Sequence, residues 1–301
     1  MDRRRFIETA VGAAGVSVLG SRVVFPGEAT SAEVKKIPRP TDLVALGKTG
    51  VKVTRIAMGT GTVGGPHESN QTRAGQENFT RVVRRALDAG INFFDSADLY
   101  GSMPFFGKAL QGVPRDKYVI LSKLRGQDTA EQAQADIERF LKELGVDYID
   151  ILLTHCATRA NWAEQRAGVL EVLSKAKEKG TIRAHGVSWH GMEPLQTIAD
   201  TAWGDLALGR INHKGINMDG KPDEAVPHFK KIHEKGKFVL GMKILGEGKI
   251  KESDEINASL RFVLGLGAVD AMTIGFEKAE QIDDLLQRWE AAMKEVAKAV
   301  A

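Results

Sequence analysis

The feature that most constrains the fold of this chain is an alternation of short apolar runs with amphipathic segments from residue 55 onward. The runs are five to eight residues long and rich in β-branched and aromatic side chains. This pattern is typical of buried parallel strands. The segments between them carry their apolar residues on one helical face. Eight runs fit the description: Arg55–Gly59, Ile91–Asp95, Tyr118–Lys123, Tyr148–His155, Ala184–Ser188, Leu206–Asn212, Phe238–Met242 and Val269–Ile274.

This alternation predicts an α/β fold with a parallel sheet and right-handed crossovers. Eight strand–helix units within roughly 270 residues favour closure into a (β/α)₈ TIM barrel over an open, doubly wound sheet. Ahead of the first unit, Leu43–Leu46 and Val51–Val53 flank a Gly-Lys-Thr-Gly turn. They predict an N-terminal β-hairpin that caps one end of the barrel.

The N-terminal segment, residues 1–32, has a different character from the rest. A basic stretch with Arg3 and Arg4 is followed by Phe6, a short Gly/Ala-rich run and small residues ending at Ala32. This order resembles an export signal of the twin-arginine type, although a disordered basic terminus is the alternative. We therefore expect a signal segment at 1–32, a barrel at 33–301, the twin-arginine machinery as a partner and a periplasmic location. The location would be cytoplasmic if the signal is not used.

Composition excludes several classes of function. A formal net charge of +3 gives no electrostatic reason to expect a nucleic-acid partner. Cys156 is the single cysteine, so an internal disulfide, a Cys₄ zinc site and a Cys-ligated iron–sulfur cluster are excluded. No metal site is predicted. The apolar run near the N-terminus is too short and too Gly-rich for a stable membrane span.

The sequence Gly59–Gly64 matches G-x-G-x-x-G after a predicted strand. In a dinucleotide-binding Rossmann unit the helix opens within that loop, so that its amides meet the pyrophosphate. Here Gly65-Pro66 and a polar run follow, and the next helical pattern begins near Gly75. We therefore interpret Gly59–Gly64 as a glycine-rich turn at the end of the first strand.

Polar side chains close several of the apolar runs. Asp95, Lys123, His155 and Ser188 each end a predicted strand, and Tyr100 follows Asp95 by five residues. Each could be structural alone, as a helix cap or a solvated side chain. In a barrel, however, the carboxyl ends of the strands share one rim, where catalysis takes place.

The combination suits reduction of a carbonyl group, which needs a proton donor for the developing alkoxide. A free tyrosine, with a pKa of about 10, releases its proton reluctantly at neutral pH. A neighbouring ammonium from Lys123 should lower the pKa of Tyr100, and Asp95 should hold that ammonium in place. His155 could orient the substrate oxygen by a hydrogen bond.

These residues also carry a family resemblance. Gly90–Gly101 (GINFFDSADLYG), Ser122-Lys123, Leu141–His155 and Gly186–Ser188 resemble motifs of the aldo/keto reductases. The resemblance covers roughly residues 43–288. It implies that Tyr100 is the acid, that Lys123 and Asp95 tune it, and that His155 positions a small-molecule carbonyl substrate.

The resemblance also implies a nicotinamide cofactor, with departures from the family pattern at the cofactor positions. Trp189 and His213 stand where Asn and Gln are usual, and Met242 where many members stack a tyrosine. Glu277 would repel the 2′-phosphate and could accept a ribose hydroxyl, so NADP(H) is only narrowly ahead of NAD(H). The implied cofactor-binding residues are Ser188, Trp189, His213, Met242, Lys243, Gly275, Glu277, Lys278 and Gln281.

Two alternatives to an active reductase remain open from the sequence. The departures at the cofactor positions are compatible with a redox-sensing or regulatory module that binds a nicotinamide nucleotide with little turnover. An unrelated barrel hydrolase or lyase has less support, because the strand ends carry neither paired carboxylates nor a metal-ligand cluster.

Overall fold

The computed structural model describes residues 37–125 and 129–300. The expected signal segment at 1–32 lies outside the described residues. The strands are β1 Leu43–Ala45, β2 Lys52–Thr54, β3 Ile56–Gly59, β4 Phe93–Asp95, β5 Val119–Leu124, β6 Ile149–Ala157, β7 Ile182–Trp189, β8 Leu206–Arg210, β9 Phe238–Met242 and β10 Ala271–Gly275.

The helices follow the strands in the expected rhythm. The α-helices are α1 Asn70–Arg73, α2 Gly75–Asp88, α3 Met103–Ala109, α4 Ala130–Leu144, α5 Trp162–Gln165, α6 Ala167–Glu178, α7 Met192–Ile198, α8 Pro222–Glu234, α9 Ser253–Gly265 and α10 Glu280–Val300. Short 3₁₀ helices are η1 Asp98–Tyr100, η2 Arg115–Lys117 and η3 Gly246–Gly248. Among the described helices, none is long and apolar enough to cross a lipid bilayer.

Strands β3 to β10 form a closed barrel. Each pairs in parallel with its neighbours in chain order, and β10 closes the ring by pairing with β3. Strands β1 and β2 form a separate antiparallel pair. The predicted (β/α)₈ barrel with an N-terminal hairpin is confirmed.

Strand alternation divides the core into two layers, because successive side chains of a strand point to opposite faces. On β5, Val119 and Leu121 join the apolar cluster inside the barrel, whereas Ile120 and Leu124 join the cluster between barrel and helices. Lys123 continues the inward row of β5. The same parity places Asp95 on the inner face of β4 and His155 on the inner face of β6.

The hairpin closes the amino-terminal end of the barrel. Leu46, Val51 and Val53 are fully buried and belong to the same cluster as the barrel interior. Burial of an aliphatic side chain of this size contributes roughly 1.5–3 kcal/mol. The inward polar residues at the carboxyl ends of the strands therefore face the opposite, open end.

Candidate active site

A cavity of 840 Å³ opens at the carboxyl ends of the barrel strands. Its lining includes residues at or directly after β3, β4, β6, β7, β8, β9 and β10. The volume lies within the roughly 300–1,000 Å³ that is usual for small-molecule and cofactor pockets. Asp95, Tyr100 and His155 line it together, as their places on the predicted rim require.

Asp95 and Lys123 form a buried ion pair at the base of this cavity. The Lys123 Nζ donates to Asp95 Oδ1 and, at 2.6 Å, to the carbonyl oxygen of Ser96. Lys123 is 1% exposed and Asp95 is 5% exposed. Burial lowers the pKa of Lys123, and the charge of Asp95 opposes that shift. Such a pair is costly to desolvate, so it is weak evidence for a stabilising role.

Tyr100 ends the 3₁₀ helix η1, which follows β4 and returns the chain over the cavity. The Lys123 Nζ lies 4.9 Å from the centroid of the Tyr100 ring. Burial raises the pKa of Tyr100 well above its usual value, and the charge of Asp95 adds to the increase. The expectation of a lowered pKa is wrong for this structure, because burial and the charge of Asp95 outweigh any opposing contribution from the Lys123 ammonium. Tyr100 is therefore held in its protonated form.

His155 stands beside the phenol as a neutral imidazole. Its ring centroid lies 6.0 Å from that of Tyr100, and the two rings are nearly perpendicular at 86°. Burial lowers the pKa of His155 well below 6.5, and the charge of Lys123 contributes to the decrease. Nδ1 is buried without a hydrogen-bond partner among the described atoms. A neutral imidazole has one N–H to donate, which is what a carbonyl oxygen can accept.

The end of β6 is irregular at and directly after His155. The register with β7 shifts between Thr154 and Ala157, and Cys156 has a positive φ of 54°. Arg166 Nη1 donates to the carbonyl oxygen of His155 at 2.8 Å, and Nη2 donates to that of Cys156 at 2.9 Å. The Cys156 amide donates to Ser188 Oγ at 3.0 Å. Two side chains thus hold the backbone of this bulge.

The glycine-rich turn after β3 packs against the phenol. A Cβ at Gly61 would lie 2.4 Å from Tyr100 Cζ, so only glycine allows this approach. Thr60 donates to the carbonyl oxygen of Asp95 through both its amide, at 3.1 Å, and its hydroxyl, at 2.8 Å. The first long helix begins at Gly75, after the turn has ended. The interpretation of Gly59–Gly64 as a turn rather than a Rossmann loop agrees with this geometry.

Five of the nine residues implied as cofactor ligands lie on the cavity: Met242, Lys243, Gly275, Glu277 and Gln281. Lys243 forms an ion pair with Glu247, another lining residue. Glu277 Oε1 accepts a hydrogen bond from Asn70 Nδ2 at 2.7 Å. Gln281 Oε1 accepts from the backbone amides of Glu277 and Lys278, at 2.7 and 3.0 Å, and so orders this loop.

The other four residues, Ser188, Trp189, His213 and Lys278, lie off the cavity lining. Ser188 is fully buried and supports the β6 bulge. Trp189 follows it on β7 and therefore points outward, where it is fully buried with its ring 5.5 Å from that of Phe229. A cofactor contact through the Trp189 side chain is thus wrong for this structure.

His213 and Lys278 are also directed elsewhere. His213 Nε2 pairs with Glu255 at 2.8 Å. It follows β8, which ends at Arg210 instead of the expected Asn212. Lys278 is exposed beside the loop, and the structure does not bring its side chain to the cavity. The ligands implied at these two positions are therefore not assembled with the other five.

Several lining residues were missed from the sequence, among them Cys156, His190, Arg210 and Thr273. Arg210 Nη2 is 2.9 Å from the His190 ring, and Nη1 pairs with Asp219 at 3.1 Å. Burial, with the charge of Arg210, lowers the pKa of His190 to about 4. Parity could have identified Arg210 and Thr273, which continue the inward rows of Leu208 and Ala271.

Comparisons with known proteins agree with this site. The Aldo/keto reductase family matches residues 55–299. The L-galactose dehydrogenase of Arabidopsis thaliana is 30% identical over 227 residues, which are 70% of this chain and 67% of that protein. An aldo-keto reductase of Mycolicibacterium smegmatis is 32% identical over 144 residues, 46% of this chain. The chain spans 50% of the length of that second relative.

Solved structures show the same fold. An aldo-keto reductase from Bacillus halodurans in its holo form superposes with a TM-score of 0.67 at 18% identity, covering 85% of this chain and 96% of that one. An aldo-keto reductase from Klebsiella pneumoniae in complex with NADPH gives a TM-score of 0.62 at 20% identity, with 82% and 88% covered. At these identities the likeness establishes the barrel alone.

Proposed function

The chain belongs to the aldo/keto reductase family, and from that premise we propose that it reduces an aldehyde or ketone to an alcohol with Tyr100 as the proton donor. The observation that carries the proposal is the meeting of four side chains at and directly beneath one cavity. They come from three stretches of chain: Asp95 with Tyr100, Lys123, and His155. Three of them line the cavity, and Lys123 pairs with Asp95 beneath it. Their types are those that proton donation to an alkoxide requires.

The burial and charge around each of the four residues indicate its role in the proposed reaction. Tyr100, held protonated by burial, gives its proton to the substrate oxygen as negative charge develops there, because an alkoxide is a stronger base than a phenolate. Lys123 then stabilises the phenolate, and Asp95 keeps the ammonium charged and in place. Neutral His155 donates a hydrogen bond to the same oxygen and orients the carbonyl.

The residues on the cavity fit a nicotinamide cofactor. When bound, the cofactor supplies the hydride that the carbonyl carbon accepts. Met242 presents an apolar, polarisable surface for a flat ring, and Lys243 offers a cation for a pyrophosphate. Gly275, Glu277 and Gln281 would contact the adenosine half. These assignments are part of the proposal.

The choice between NADP(H) and NAD(H) depends on the loop after β10. The family resemblance favours NADP(H). Glu277 lies on the cavity and Lys278 off it, and a carboxylate there repels a phosphate dianion while it accepts a ribose hydroxyl. Titration of tryptophan fluorescence with NADPH and NADH separately measures the two dissociation constants. Tighter NADH binding would overturn the NADP(H) assignment and leave the reductase proposal intact.

The decisive test is turnover of a carbonyl panel by the wild type and by Tyr100→Phe. The panel holds aliphatic and aromatic aldehydes, ketones and, because one relative is named an L-galactose dehydrogenase, L-galactose with the oxidised cofactor. We expect Tyr100→Phe to lower kcat about 10²–10⁴-fold at unchanged cofactor affinity. Tyr148→Phe is the matched control, because Tyr148 lies off the cavity. Its ring packs against the Arg115 guanidinium, whose Cζ is 4.0 Å from the ring centroid.

The same measurement separates the proposal from the redox-sensing alternative. Four implied cofactor residues lie off the cavity lining, which is the observation in favour of that alternative. Nucleotide binding without turnover of any panel member would support a binding module. Rapid turnover that Tyr100→Phe abolishes would exclude it.

We also propose that residues 1–32 direct export through the twin-arginine machinery to the periplasm. The support is the sequence order: Arg3 and Arg4, then Phe6, a short apolar run and small residues up to Ala32. Replacing both arginines by lysine keeps the charge and removes the motif. We expect this double variant to remain in the cytoplasmic fraction while wild type reaches the periplasm. Equal periplasmic amounts would refute export by this route.

A further inference from the structure

Asp95 has two carboxylate oxygens, and the structure gives each a different partner. Oδ1 accepts from the Lys123 ammonium, and Oδ2 accepts from the Thr273 hydroxyl at 2.8 Å. Thr273 is 7% exposed and lines the cavity from β10, on the far side of Asp95 from Lys123. Thr273 belongs to none of the motifs that resemble the family, and it is not the last residue of its predicted strand.

The backbone around Thr273 is arranged so that its hydroxyl can reach Asp95. The residue is the second in an inward row of β10, after Ala271, and it pairs in register with Ala57 of β3. Between β10 and β4 stands β3, whose last residue is Gly59. A Cβ at Gly59 would lie 2.9 Å from Thr273 Oγ1. The missing side chain of Gly59 therefore leaves the space in which the hydroxyl lies.

We infer that Thr273 is a positioning residue of the reaction, whose hydroxyl fixes the Asp95 carboxylate so that the opposite oxygen faces the Lys123 ammonium. A carboxylate that accepts bonds at both oxygens cannot rotate without breaking one of them. A hydroxyl donor also stabilises the charged carboxylate, and hydrogen bonds to charged groups are among the stronger ones. The inference rests on the proposed function, because it assigns Thr273 to the tuning of Tyr100 through Lys123.

Loss of the hydroxyl should act through the charge of Lys123. Burial already lowers the pKa of Lys123, and the pairing with Asp95 opposes the decrease. A loosely held carboxylate opposes it less, so the ammonium deprotonates at lower pH. The other groups that face Lys123 stay unchanged: the Ser96 carbonyl oxygen, the Tyr100 ring, His155, Cys156 and Lys243.

The test compares wild type, Thr273→Val and Thr273→Ser. Valine keeps the shape and removes the hydroxyl, whereas serine keeps the hydroxyl. We expect Thr273→Val to lower kcat about tenfold and to move the alkaline limb of the pH–kcat profile about one unit lower. Thr273→Ser should restore both. The dissociation constant of the nicotinamide cofactor, measured on the same variants, should stay within about twofold of wild type, since a positioning role leaves ground-state cofactor binding alone.

A second readout needs no turnover. NMR of protein carrying ¹⁵N-labelled lysine follows the titration of the Lys123 ammonium, with the signal assigned by its absence from Lys123→Met. A lower midpoint in Thr273→Val, restored in Thr273→Ser, supports the inference even if the wild type reduces no carbonyl, which would refute the proposed function alone. Coincident midpoints in wild type and Thr273→Val, or a serine variant that behaves like valine, overturn it.

Discussion

The two ends of the barrel each bury a carboxylate against basic side chains, and they complete its contacts differently. At the amino-terminal end of β6, Asp150 is fully buried between Arg115 and Arg183, at 2.6 and 2.9 Å, and accepts the Ile120 amide at 2.9 Å. At the carboxyl end of β4, Asp95 pairs with a lysine that also faces a phenol.

The difference lies in which groups stand beside each carboxylate. The two arginines at Asp150 also bond backbone carbonyls, so that cluster ties strands and loops together. Beside Asp95, by contrast, stand a protonated phenol and a neutral imidazole whose buried Nδ1 has no hydrogen-bond partner within the described part of the chain. A buried charge enclosed by guanidinium groups that also bond the backbone is suited to a structural role. One set beside a phenol and an imidazole in a cavity is suited to chemistry.

The sharpest way to break this comparison is to remove each buried ion pair. We expect the double variant Asp95→Asn/Lys123→Met to lose about 10²–10⁴-fold in kcat. Its free energy of unfolding should equal or exceed that of wild type, because neutral, well-packed replacements avoid the cost of desolvating the ion pair. Urea denaturation and steady-state assays measure the two quantities. A large loss of stability without loss of turnover would reverse the roles assigned to the two ends.

The second effect concerns the amino-terminal end. We expect Asp150→Asn to lower the free energy of unfolding by about 3 kcal/mol, because two guanidinium groups lose their buried counter-charge. The kcat of the folded fraction should remain within about twofold, since the cluster lies at the opposite end of the barrel from the cavity. Urea denaturation checks the first value. Asp116→Asn, whose pair with Lys117 is exposed at 3.5 Å, is the control and should change stability little.

The smallest effect is a pH dependence of stability that differs between the ends. Burial lowers the pKa of His190, at the cavity, from 6.5 to about 4. Because its folded pKa lies below its unfolded value, His190 contributes stability that is present above pH 6.5 and is lost as the pH falls toward 4. In His190→Gln the free energy of unfolding should therefore fall less over this range.

The matching variant at the other end is His185→Gln. Burial also lowers the pKa of His185, and the charge of Asp205, 3.6 Å away, opposes the decrease. The free energy of unfolding decreases as the pH falls, and we expect His185→Gln to reduce that decrease less than His190→Gln does. Denaturation series at several pH values measure both. An equal or larger effect at His185 would show that the cavity histidine is no more strained by burial than the structural one.

Much of this comparison could be predicted from the sequence, because it follows from periodicity. Short apolar runs gave the eight barrel strands, and their last polar residues gave Asp95, Lys123 and His155. Tyr100 needed only a short return of the chain, which η1 provides. These features depend on the local order of residues, which can be read from the sequence alone.

Other parts depend on parity and packing that the sequence states less directly. Trp189 was expected at the cofactor because it follows Ser188, yet adjacent residues of a strand face opposite sides. Thr273 and Arg210 obey the same rule and were overlooked. The raised pKa of Tyr100 could not be foreseen, since it follows from burial and from the charge of Asp95. The bulge at Cys156 depends on a contact with Arg166, ten residues away.

The close approach of Gly61 to the phenol has a consequence for any redesign of the barrel mouth. The neighbouring Val63 is exposed and points to solvent, so its side chain is open to replacement when a new substrate preference is wanted. Position 61 does not tolerate such a replacement, because a single added methyl group would collide with the Tyr100 ring. Libraries that vary this loop should therefore keep glycine at position 61, as well as at position 59 beside Thr273.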